Sequence, residues 1–181
     1  GIPPEFLFVG MPPNEIRPRY SEILDFLGLA TAAKHVSFHG EYYDIPALTM
    51  EPHPSEPVPI YVGGHSDAAL RRAAKVGDGW IGNAYPWDEA EHHVGKLKGF
   101  LAEEGRADDD FEIICGLYAM PEADLFKRAE EELGITGTLC RPWALDADVH
   151  AIEKSGRTPR AADYLPSIEK FAGEILATCQ P

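Results

Sequence analysis

Short, near-continuous apolar runs alternate along this chain with longer stretches in which apolar residues recur at helical spacing. That alternation predicts strands and helices in turn. Phe6-Leu7-Phe8-Val9, closed by Gly10, predicts a first strand. After Pro12, Pro13 and Asn14, the positions Ile16, Tyr20, Ile23, Leu24 and Leu27 predict a helix, and Gly28 its end. Val36 and Phe38 alternate with polar neighbours, His39-Gly40 can turn the chain, and Tyr42-Tyr43 can return it. A small hairpin insertion is therefore expected within residues 36–54. Pro52, Pro54, Pro57 and Pro59 then exclude helix and central strand and leave an extended connector.

Residues 59–80 are the stretch on which the rest is organised. Ile60-Tyr61-Val62 is a short β-branched and aromatic run, and it predicts a buried strand. Gly63 and Gly64 follow, then Ser66, a strong helix N-cap, with Asp67 in the first turn. Ala69, Leu70, Ala73 and Ala74 keep helical spacing, and Gly77 stands where a C-terminal glycine belongs. A strand is next expected over residues 80–84. A helix capped by Asp88, with Glu91 three residues on, carries Val94, Leu97 and Leu101. A strand over 111–120 and a helix over 122–133, ended by Gly134, continue the series. Leu139-Cys140 predicts a last short strand, cut off by Pro142. Residues 144–160 carry no clear period. Ser167 is expected to cap a final helix with Ile168, Phe171, Ala172, Ile175 and Leu176 on its apolar side. Such runs alternating with helices predict an α/β fold with a parallel sheet.

Composition narrows the function classes. The 181 residues suffice for one domain, and 44% hydrophobic with 25% charged residues is ordinary for a globular chain. A formal net charge of −14 argues against nucleic acid and anionic membranes as partners. No apolar run approaches a membrane span, and the N-terminus lacks a secretion signal, so a cytoplasmic location is expected. The chain starts at Gly1 rather than Met, which leaves processing or a longer parent protein open. Cys115, Cys140 and Cys179 are odd in number and form no C-x-x-C pair, so buried free thiols in a reducing compartment are expected. The seven histidines show no metal spacing, and Asp108-Asp109-Asp110 reads as a solvated turn, so no metal is expected. No Ser-His-Asp, Cys-His or paired-carboxylate arrangement can be argued from spacing, and no catalytic residue is assigned.

The chemistry on offer is local. A strand running through Gly63-Gly64 into a helix headed by Ser66 presents backbone N–H groups and the positive end of a helix dipole at one point. That is an anion site in outline. The bland alternative is that most strand–turn–helix units bind nothing. Arg71 and Arg72 lie about a turn and a half into the helix and fit a solvated face as well as a phosphate.

The strings VSFHGEYY from Val36, TMEPHP from Thr49, PIYVGGHS from Pro59 and ALRRAAKVGDGW from Ala69 closely resemble the luciferase-like monooxygenase family. The stretch GITGTLCRPW from Gly134 is compatible with it. The resemblance implies an α/β TIM barrel of the (β/α)8 type. It implies reduced FMN or deazaflavin coenzyme F-420 at the C-terminal ends of the strands, and an oxidoreductase or monooxygenase acting on a small organic substrate. Carried over by position, Gly63, Gly64, His65 and Ser66 contact the cofactor phosphate. Three strand ends are then expected to face the substrate: Asn83 with Tyr85, Tyr118 with Met120, and Arg141 with Trp143. A whole barrel needs roughly 200–250 residues. Residues 1–181 are therefore expected to be a single domain forming the C-terminal portion of a partial barrel that lacks its N-terminal strands. The alternative is a non-catalytic flavin-binding or structural relative, an incomplete barrel that pairs as a homodimer through its exposed edges. An unrelated phosphate-binding α/β domain is a third reading. FMN against deazaflavin, the substrate, and oxygenation against dehydrogenation stay open.

Overall fold

The structure, a computed structural model, describes residues 3–143 and 146–178. The chain divides into two compact units, Gly1–Ile60 with Val76–Asp78, and Tyr61–Lys75 with Gly79–Pro181.

The first unit holds helices α1 (Pro3–Phe8) and α2 (Ile16–Ala32) and the strands β1 (His35–His39) and β2 (Asp44–Thr49). The expected first strand at residues 6–9 is instead mostly helix. A four-residue apolar run has no period that separates strand from helix. Prolines at 3 and 4 and Glu5 in the first turn are helix-start residues. Helix α2 also runs past Gly28. A glycine inside a helix costs only about 1 kcal/mol, and beyond it Ala30 is buried. The expected hairpin is present, antiparallel from His35 opposite Thr49 to His39 opposite Asp44, with an irregularity between Val36 and Phe38.

The hairpin tip is tied down by one carboxylate. Glu22 accepts the N–H groups of Glu41, Tyr42 and Tyr43 at 2.7–3.1 Å. Gly40 makes room for it, because a Cβ there would lie 2.1 Å from Glu22 Oε1. Glu22→Ala would leave three N–H groups without their acceptor and is expected to destabilise the chain by about 1–3 kcal/mol. Urea unfolding of the two proteins measures this.

The second unit contains β3 (Tyr61–Gly63), α3 (Asp67–Val76), β4 (Gly79–Tyr85), α4 (Trp87–Glu103) and β5 (Glu112–Leu117). The three strands form a parallel sheet in the order β3-β4-β5. Register places Val62 beside Trp80 and Trp80 beside Ile113, and all three are buried. Leu70, Ala73 and Ala74 of α3 and Val94, Leu97 and Leu101 of α4 complete this core. The neighbouring row, Gly63, Ile81 and Ile114, stands on the other face, where Ile81 is 38% exposed. A parallel sheet is normally covered on both faces. Among the described residues this sheet is open and does not close into a barrel.

Helix α4 starts one residue before Asp88. Pro86 is its N-cap, and Asp88 and Glu89 occupy the first turn, where their charge favours the dipole. The helix expected over 122–133 is α5 (Ala123–Arg128) continued by a π-helical turn, Ala129–Leu133. Gly134 ends it at φ +73°, as its sequence position suggested. The expected strand at Leu139-Cys140 does not form. Pairing stops at a single parallel bridge between Ile114 and Gly137, and Leu139 is exposed. Two residues ahead of Pro142 are too few to hold a ladder, and the proline cannot donate to one. Cys140 is accordingly exposed rather than buried, whereas Cys115 is buried and its thiol is pushed up to about 11 by burial. Cys179 lies outside the described residues.

Helix α6 (Ala147–Lys154) fills part of the stretch without a clear period. Asp146 caps it, accepting the N–H groups of Asp148 and Val149. Helix α7 (Ala161–Phe171) begins well before Ser167. Asp163 serves its N-terminus, accepting the Arg160 N–H at 2.6 Å and the Arg157 guanidinium at 2.9 and 3.0 Å. Ser167 lies inside the helix and is buried, and its hydroxyl donates to the Asp146 carboxylate. Its capping-type chemistry is thus used between helices rather than at a helix start. Hydrogen bonds from Ser167, Val149 and Asp148, in that order, hold Asp146 below the usual carboxylate range.

Candidate functional site

The loop after β3 is built by three local features. The strand ends at Gly63, where an added Cβ would meet only the Ile81 carbonyl oxygen, at 3.7 Å. Gly64 has φ +116°, a conformation that favours glycine, and a Cβ there would lie 2.8 Å from the Ala69 Cβ. Ser66 then heads α3. Its carbonyl accepts the N–H groups of Ala69 and Leu70 at 2.8 and 2.9 Å, and its hydroxyl also reaches the Ala69 N–H, at 3.3 Å. Among the described residues, the N–H groups of His65, Ser66, Asp67 and Ala68 find no acceptor. Exposed donors at a helix N-terminus, after a glycine turn, have the chemistry an anion needs.

Because the three strands are parallel, the ends at Gly63, Tyr85 and Leu117 face one rim of the sheet. The loop therefore stands at the C-terminal edge, where ligands of barrel-type α/β proteins bind. Its electrostatics are balanced by α4. Lys96 Nζ lies 2.8 Å from the Asp67 carboxylate, and that hydrogen bond chiefly holds Asp67 below the usual carboxylate range. A carboxylate beside an anion site is thus offset by a cation.

Beneath the loop lies a row of aromatic rings. Trp80 stacks on Tyr85 with centroids 6.4 Å apart, Tyr85 meets His93 at 4.8 Å, and His93 meets His65 at 6.1 Å. The Trp80 indole N–H donates to the Gly64 carbonyl at 2.6 Å. Burial, then His92 and His65, push the His93 pKa down. His93 Nδ1 is buried without a partner, and burial pushes the Tyr85 phenol up against the pull of the Asn83 backbone N–H beside it.

The expected substrate-side residues are divided. Asn83 and Arg141 line one open cleft of about 540 Å³ with Gly82, Ala84, Leu139 and Cys140. Trp143 packs on Tyr164 at 5.2 Å instead. Tyr118 is 69% exposed, with its N–H donating to the Tyr85 carbonyl at 2.8 Å. Met120 lines a separate cleft of about 370 Å³ with Phe171, Lys170 and Asp146. Sequence reasoning did not find Trp80, Lys96 or His93. For Trp80 a signal existed, because an indole in a buried strand needs an acceptor for its N–H. Lys96 and His93 carried none, since nothing in one helix names the loop it faces.

A family model described as luciferase-like monooxygenase matches residues 1–173. An uncharacterised protein of Mycobacterium tuberculosis is 32% identical over 178 residues, spanning 97% of this chain and 58% of the relative. The F420-dependent glucose-6-phosphate dehydrogenase of Nakamurella multipartita is 28% identical over 167 residues, spanning 90% of this chain and 47% of that protein. The chain thus covers about half the length of the relatives it matches. Among solved structures, DmoA from Hyphomicrobium sulfonivorans superposes with a TM-score of 0.52 at 15% identity, over 100% of this chain and 40% of its own. Monooxygenase RslO1 from Streptomyces bottropensis gives 0.51 at 17% identity, over 96% and 55%. At these identities the likeness is one of fold.

Proposed function

Since the chain belongs to the luciferase-like monooxygenase family, we propose that it serves as the cofactor-holding portion of a flavin- or deazaflavin-dependent oxidoreductase acting on a small organic substrate. The observation that carries this is the loop at the C-terminal end of β3, with Gly64 at φ +116° and Ser66 at the head of α3. When bound, FMN or a deazaflavin would supply the redox chemistry. The chain's own groups would hold and orient it. The N–H groups of His65 and Ser66 and the Ser66 hydroxyl would take the phosphate, and Gly63 and Gly64 would let it approach. Asn83 and Arg141 would line the substrate side, where Arg141 would offer a cation to an anionic group. The F420-dependent relatives support the deazaflavin branch, and the family description supports a monooxygenase. The open face of the sheet supports a partial barrel.

Ser66→Ala tests the site. Loss of a hydroxyl to a charged phosphate removes about 1.5–3 kcal/mol, or roughly ten- to a hundredfold in affinity. Equilibrium dialysis against FMN and against the deazaflavin measures it, and unchanged affinity for whichever binds would remove Ser66 from the site. The exposed sheet face carrying Ile81 also favours a second reading, a non-catalytic relative that pairs with a second copy. A colourless dimer without turnover on sizing and absorption would select it.

A further inference from the structure

We infer that Trp80 is the positioning residue of the anion loop, fixing the direction of the His65 N–H through the Gly64 carbonyl. The inference rests on the reading of that loop as a phosphate site. Trp80 is fully buried in β4, beside Val62 and two residues short of Gly64 in register. Its indole N–H donates to the Gly64 carbonyl at 2.6 Å. The Gly64 carbonyl and the His65 N–H belong to one peptide group, which is not among the cis bonds. In a trans peptide the two point in opposite directions. Drawing the carbonyl down onto the buried indole therefore turns the His65 N–H outward, away from the core. The residue His65 is exposed, so its N–H lies in a solvent-facing part of the loop. Gly64 at φ +116° supplies the backbone freedom for this placement.

The indole has one seat. Its ring stacks on Tyr85 with planes 8° apart, and it lies over Gly82, where a Cβ would come within 2.5 Å of Trp80 Cη2. A ring held on both sides cannot follow the loop if the loop swings, so the loop is held to the ring. Without the bond, the Gly64–His65 peptide is free to rotate and the N–H loses its fixed aim. A donor set before the ligand arrives needs no ordering on binding, which is the physical source of the affinity it adds.

The test is Trp80→Phe in the full chain. Phenylalanine keeps an aromatic ring in the buried seat and removes the donor, and it also leaves a small cavity, whose general effect the riboflavin arm reads. FMN, riboflavin and inorganic phosphate are the probes, read by fluorescence quenching for the flavins and by competition for phosphate. The expected result is that Kd for FMN and for phosphate rises by about tenfold, while any riboflavin affinity, which has no phosphate to report, stays within about twofold. A merely structural role would weaken FMN and riboflavin alike, and that result overturns the inference. Equal FMN or phosphate binding by both proteins also overturns it and leaves the phosphate site standing. Absence of FMN, deazaflavin and phosphate binding in the unaltered chain overturns both. If the variant does not fold, the indole N–H resonance of Trp80 in the unaltered chain decides. It is expected to be slow to exchange and to shift when phosphate is added, and an unmoved resonance rejects the role.

Discussion

Gly64→Ala is expected to lose about tenfold or more in affinity for FMN or the deazaflavin and to lower stability by about 1–3 kcal/mol. Two causes act together. The residue sits at φ +116°, where a side chain is strained, and the new Cβ would come within 2.8 Å of the Ala69 Cβ on α3. The chain can relieve both only by turning the Gly64 peptide or shifting the start of α3. Turning the peptide takes the Gly64 carbonyl off the Trp80 indole, and shifting the helix moves the N–H groups of Ser66 and Asp67. Either relief spoils the donor set, so the binding loss should exceed what the stability loss alone explains. Fluorescence titration and urea unfolding on the same preparation measure the two effects. Gly99→Ala is the control, because it lies exposed on α4, away from the loop, and a Cβ there meets nothing within 4 Å.

Leu97→Ala is expected to have the largest effect on stability. Leu97 is fully buried on the inner side of α4, the helix that also carries Val94 and Leu101 in the core and Lys96 beside Asp67. Removing a buried leucine side chain costs about 2–5 kcal/mol, because the transfer energy is lost and a cavity is left. Domains of this kind have a total stability of about 5–15 kcal/mol. The upper end of that cost would leave a marginal fold. The midpoint of urea unfolding should fall sharply with little change in slope. A change under about 0.5 kcal/mol would mean that α4 does not pack on the sheet as described.

The part of the molecule most legible in the sequence is the part whose signals are local. A β-branched run, two glycines and a serine specify strand, turn and capped helix within a few residues, and the structure has each of them there. The hairpin was legible for the same reason. Its turn residues and alternating neighbours say where the chain reverses, although only the fold reveals that Glu22, about twenty residues earlier, holds the tip. Misreadings fall where a residue has two uses. Phe6 to Val9 suit strand or helix equally, and the preceding prolines and Glu5 decide. Gly28 can end a helix or be tolerated within one. Ser167 can cap a helix or bond to a partner across space, and Asp146 takes it. The substrate side was least legible, because Trp143 and Tyr118 depend on which neighbours the chain brings to them, and Tyr164 claims the tryptophan.

The central claim is that backbone amides at the start of α3 receive a phosphoryl group, and amide resonances test it most directly. The full chain, labelled with nitrogen-15, would be titrated with FMN and with the deazaflavin while the amides of Gly64, His65, Ser66, Asp67 and Ala68 are followed. The account expects the largest downfield shifts at His65 and Ser66, with the ligand phosphorus signal moving in step. Shifts confined to other parts of the chain, or saturation by either cofactor with these five amides unmoved, would contradict it.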